Sequence, residues 1–164
     1  MQSDRLMMDK AIRLAEPIAV AILEIPGVTW GPKWVTGLIL FWGELVPFSL
    51  GEDPSVKWND EWGSPLGDIL ITKERLSLIA RSRMTRVIAE RNDSLFPDCR
   101  GCADEWESLF SGSAHCTGTD VVCIGAKGAA CTAIAEIILV NIKLLTILEA
   151  DQPILLPELK QAQA

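Results

Sequence analysis

The stretch DVVCIGAKGAACTAIAEIILVNIKLLTILEA, Asp120 to Ala150, decides the fold. Asp120 to Gly125 is short, β-branched and bounded by glycine, which predicts a strand. Gly125-Ala126-Lys127-Gly128 reads as a turn. From Ala129 to Ala150 the chain has the length and spacing of a helix, and its apolar residues run nearly all the way round it. Thr132, Glu136, Lys143 and Thr146 form only a narrow polar strip. A single sheet covers one side of such a helix, so a second subunit is expected on another: a homodimer or higher homo-oligomer.

Outward from this core the pattern alternates between strand and helix. A short strand is predicted at Ala114–Thr117, turning at Gly118. Further back, Val35–Trp42 is apolar on both faces, with Val35, Ile39 and Phe41 alternating with Leu38, Leu40 and Trp42. It therefore belongs to a sheet buried on two sides. Gly43-Glu44 is expected as a II′ turn into a second strand, Leu45–Leu50. Pro47 cannot donate to a ladder, which places that strand at an edge or gives it a bulge. A first helix is predicted over Ser3–Ile25, with Leu14, Ile18, Ala21, Ile22 and Ile25 as its apolar stripe and a kink or a division at Pro17. Ser64-Pro65 reads as the start of helical chain reaching about Asn92. Gly51–Gly63 and Asp93–Ser113 read as loops, and 151–164 as a surface tail. One domain over 1–164 follows, with no repeat and no linker.

Composition excludes several classes. The 164 residues are 49% hydrophobic, too apolar for disorder, and the net charge of −7 argues against general nucleic-acid binding. No stretch of about 18 residues is free of charge, so no membrane span is expected. No signal-peptide pattern follows Met1, which predicts an intracellular, cytoplasmic protein. Five cysteines without a secretion signal predict reduced thiols rather than a disulfide framework. Cys123 and Cys131 read as core. Cys99 and Cys102, with His115 and Cys116, have zinc-knuckle spacing, but adjacent extended residues point to opposite sides, so incidental thiols are the favoured reading.

Three features bear on chemistry. Five of six tryptophans fall between Trp30 and Trp62, and Trp30, Trp34 and Trp42 are candidate walls for a flat apolar ligand. Between Lys73 and Arg91 six cations face two carboxylates, which makes Arg81, Arg83 and Arg86 candidates for holding an anionic group. Internal pairing with acidic loops is the commoner outcome for such residues. His115, the sole histidine, Asp120, Glu44 and Glu136 are the acid–base candidates, the two glutamates because an apolar setting raises a carboxyl pKa. The Gly125–Gly128 turn matches neither a Walker loop nor a dinucleotide fingerprint, and a plain tight turn is expected.

The run from Leu109 to Leu139, LFSGSAHCTGTDVVCIGAKGAACTAIAEIIL, resembles the GlcG / PduO C-terminal-like (HbpS-like) haem-binding family. Gly118, Val121, Val122, Ile124, Gly125 and Gly128 take its pattern positions, and Ala80, Arg81 and Arg83 faintly match its central helix. The chain has Cys131-Thr132 where the family commonly carries an acidic residue, and Gly43-Glu44 in place of an Asp-Gly turn. The resemblance implies an α+β fold, a small antiparallel sheet flanked by helices with profilin-like layering. It also implies oligomers and a cleft for haem or a related molecule. Two functions are expected: binding of a hydrophobic, anionic small molecule such as haem, with His115 as its histidine ligand, or cofactor-free isomerase, cyclase or lyase chemistry. A purely structural oligomer, with the tryptophans as interface, is a third.

Overall fold

The computed structural model describes residues 2–29, 33–52, 57–58, 69–70, 73–92 and 111–151. Helix α1 (Gln2–Leu23) leads into a hairpin of β1 (Trp34–Phe41) and β2 (Glu44–Gly51). The two-residue strands β3 (Lys57–Trp58) and β4 (Ile69–Leu70) pair with each other and precede α2 (Lys73–Asn92). A second hairpin, β5 (Ser111–Cys116) and β6 (Thr119–Ile124), runs into α3 (Gly128–Asp151). The main sheet has the order β2-β1-β6-β5, with every neighbouring pair antiparallel. The fold class is thus α+β, a four-stranded antiparallel sheet flanked, among the described residues, by three helices.

The sheet is buried on both faces because alternate residues of β1 and β6 are apolar in both directions. Val35, Ile39, Phe41, Val121 and Cys123 face α1 and α3, while Trp34, Leu38, Val122 and Ile124 face Ile79, Ala80, Met84, Val87 and Ile88 of α2. Pro47 does sit on an edge strand, where its missing donor costs nothing. Thr36, buried in the central strand, satisfies its hydroxyl on the Phe48 carbonyl at 2.8 Å and on Ser49 Oγ at 3.0 Å.

Several local expectations are corrected. The hairpin turn is Trp42-Gly43, one residue earlier than Gly43-Glu44. Both residues have positive φ, 46° and 90°, as a I′ turn requires. In α1 the buried stripe is Met8, Ala11, Ala15, Ala19 and Leu23, whereas Leu14, Ile18 and Ile25 are exposed. Small residues at four-residue intervals let α1 approach closely, and this selected the alanine face over the bulkier one. Helix α1 runs unbroken past Pro17, which is exposed, as is Arg13, so solvent reaches the carbonyl that Pro17 leaves without a donor. Ile69 and Leu70 are strand, which interrupts the helical chain expected up to Asn92, and α2 begins at Lys73; Ser64 and Pro65 lie outside the described residues.

Candidate functional site

Cross-strand register assembles one row on the α2-facing side of the sheet. Leu45 of β2 lies opposite Leu40 of β1, Leu40 opposite Asp120 of β6, and Asp120 opposite His115 of β5. Two apolar side chains therefore lead across the sheet into an acid and an imidazole. Leu40 and Leu45 are half-buried against the α2 core. At the end of the row His115 Nδ1 lies 2.9 Å from Asp120 Oδ1, the His115 side chain 40% exposed and that of Asp120 12%. A carboxylate on Nδ1 favours the tautomer with its proton there, which orients the ring and makes Nε2 the basic nitrogen. Sequence reasoning named both polar members but missed Leu40 and Leu45. Their place in the row follows only from knowing which residue of β2 and of β6 faces Leu40.

Nδ1 protonation is directly testable. In ¹⁵N spectra recorded at a pH where the ring is neutral, Nε2 of His115 is expected as the unprotonated nitrogen in the wild type, and as a tautomer mixture in Asp120→Ala. An unchanged spectrum would show that Asp120 does not set the ring.

The other acid–base candidates are elsewhere. Glu44 opens β2 beside the hairpin turn and pairs with Arg5 of α1, Nε to Oε1 at 3.1 Å. That guanidinium hydrogen bond holds the carboxyl below its ordinary range, the opposite of the rise expected from an apolar setting. A depressed native pKa gives stability that is present above the unfolded pKa of about 4.3 and lost as pH falls through the native one. The difference in melting temperature between wild type and Glu44→Gln is accordingly expected to vanish as acid titrates Glu44, and to shrink in salt. Glu136 is exposed on α3, away from the row.

The tryptophans do not share a cleft. Trp34 is wholly buried between the sheet and α2, and Trp42, 69% exposed, sits beyond the opposite end of the same strand. Trp42 donates its backbone N–H to the Gly118 carbonyl at 2.8 Å, tying the two hairpin turns together, and its ring covers Gly118. Trp30 lies outside the described residues. Arg81 is exposed, Arg83 and Arg86 are half-buried, and all three rise from the helix that covers the His115 face.

Three of the surface cavities lined by described residues bear on the candidates. The largest, about 540 Å³, lies between α1 and the end of β2, beside the Lys33–Glu24 ion pair at 2.8 Å. A second, about 330 Å³, lies between Leu6 and Lys10 of α1 and Leu145 and Leu148 of α3. The third, about 260 Å³, lies between Trp42, Cys116 and the Ile142–Ile147 segment of α3. None of the three includes His115.

Cys123 and Cys131 are core residues, as expected. Both are fully buried, and Cys131 Sγ donates to the Ala126 carbonyl at 3.2 Å. Burial, reinforced by a hydrogen bond with Cys131, pushes the Cys123 thiol well up. In native protein treated with iodoacetamide, peptide mapping should find Cys123 and Cys131 unlabelled until denaturant is added. Cys99 and Cys102 of the zinc-knuckle pattern lie outside the described residues. Among the described ones no group of three or more His, Cys, Asp or Glu could hold a metal. His115 and Cys116 point to opposite faces of β5, as adjacent strand residues must.

The Gly125–Gly128 connection is a tight turn: the Lys127 N–H donates to the Val28 carbonyl at 2.9 Å and the Lys127 carbonyl accepts from Cys131 N–H at 3.0 Å. Among the described helices, α3 is long and apolar enough to cross a membrane by length and composition, yet Ile134, Ala135 and Ile138 are wholly buried in the core. Compared with family models, with curated proteins and with solved structures, this chain matches none.

Proposed function

We propose that the protein binds a hydrophobic small molecule bearing an anionic group on the α2-facing side of the sheet. His115, held by Asp120, exchanges a proton with it, as in a cofactor-free isomerase, cyclase or lyase. The observation that carries this reading is the 2.9 Å contact between His115 and Asp120 at the end of a row begun by Leu45 and Leu40. The apolar half of the row suits a greasy substrate body. Guanidinium groups of Arg83 and Arg86, on the helix covering that face, suit its anion. A partly buried carboxylate behind an imidazole stabilises the imidazolium formed when Nε2 takes a proton.

The test uses a panel of hydrophobic carboxylic acids and their methyl esters. Acids, but not esters, should shift the His115 ring resonances, and Arg83→Gln with Arg86→Gln should weaken the effect. For a bound acid with an exchangeable carbon-bound proton, deuterium uptake measured by mass spectrometry should fall about 10²–10⁴-fold in His115→Gln. Binding that ignores the ester substitution, or exchange that survives His115→Gln, would reject the proposal. A Soret band shift on haem titration, lost in His115→Ala, would favour haem ligation instead.

A further inference from the structure

The solvent-exposed side of α3 carries a stripe that is complementary to itself. Glu136, Val140, Lys143 and Ile147 follow one another at intervals of four, three and four residues, so they share one face of the helix, and all are exposed. Leu144 flanks the stripe, and its exposure of 53%, with 48% for Val140 and 58% for Ile147, leaves a run of bare apolar surface. Glu136 and Lys143 stand on either side of Val140.

We infer that this stripe binds a second copy of the chain, α3 against α3 and antiparallel, about a two-fold axis passing near Val140. That symmetry sets Glu136 of each protomer opposite Lys143 of its partner, twice, with the Val140 side chains meeting at the centre. It also lays the bulky Leu144–Ile147 half of one helix over Ala133 of the other, where a small side chain leaves room. A parallel pairing would set Glu136 against Glu136 and Lys143 against Lys143, so the charges select the antiparallel one. Apolar burial supplies the affinity and the charge pairs fix the orientation. The interface lies on the opposite side of the sheet from His115 and does not depend on the reading of that site.

Sedimentation velocity on the full chain at micromolar concentration tests this. The wild type is expected to sediment as a dimer. Lys143→Glu and Glu136→Lys should each weaken it by about tenfold or more, because each replaces two attractions by two repulsions. Combining both reversals in one chain should restore the dimer. Mixing the two single variants should give a heterodimer, since all four charges then pair. Circular dichroism of the single variants should match the wild type, as both positions are exposed. A monomeric wild type, a dimer indifferent to either reversal, or a double variant no better than the singles would each overturn the inference. So would a stripe that floats with phospholipid vesicles while the protein remains monomeric.

Discussion

Trp34→Ala should cost about 3–5 kcal/mol, enough to unfold a domain of this size or leave it barely folded. Trp34 is the largest of the fully buried side chains and forms the floor of the core between the sheet and α2, with Leu38, Met84, Val122 and Ile124 around it. Removing the indole leaves a cavity between a sheet and a helix, and neither can collapse far without breaking strand register. Trp42→Ala, on the exposed turn, should change stability by no more than about 0.5–1 kcal/mol. Urea denaturation followed by circular dichroism measures both. Equal losses at the two positions would mean that the two rings share one packed cluster, contrary to their placement at opposite ends of β1.

The second large effect is expected at Gly125. Its φ of 123° is a backbone conformation that side-chain-bearing residues rarely adopt, and a Cβ there would stand 2.5 Å from the Trp34 ring. Gly125→Val therefore combines backbone strain with overpacking, together roughly 3 kcal/mol or more. The two sources separate in a double-mutant cycle. In a Trp34→Leu background, which keeps more of the core filled, the six-membered ring that a Gly125 side chain would strike is gone and only the strain remains, so the two losses should be less than additive by at least about 0.5 kcal/mol. Strict additivity would show that Gly125 is required for its φ alone. The same contact explains why the turn after β6 and the first residue of β1 depend on each other.

Short-range pattern was enough for much of the architecture. The strands of both main hairpins, the two-sided burial of β1 and the α3 boundaries follow from periods of two and 3.6 residues, whereas the first hairpin turns one residue earlier, at Trp42-Gly43. The burial of Cys123 and Cys131 was equally legible, because each falls within an apolar run. His115 and Asp120 were visible as chemistry-bearing residues on account of their types.

What the chain alone did not decide is which apolar surface meets which. Leu14 and Ile18 have the spacing of a core stripe, yet the core took Ala11, Ala15 and Ala19, because the distance between α1 and its neighbours rewards small side chains. Likewise Trp34 and Trp42 are near in sequence but separated by the extended length of β1, since a strand rises about 3.3 Å per residue. The His115–Asp120 contact and the Leu45–Leu40 approach to it arise from register, which is fixed by the sheet as a whole. Local propensity dictates the elements, whereas contacts between distant residues depend on how those elements fit, and that fit is a property of the folded molecule.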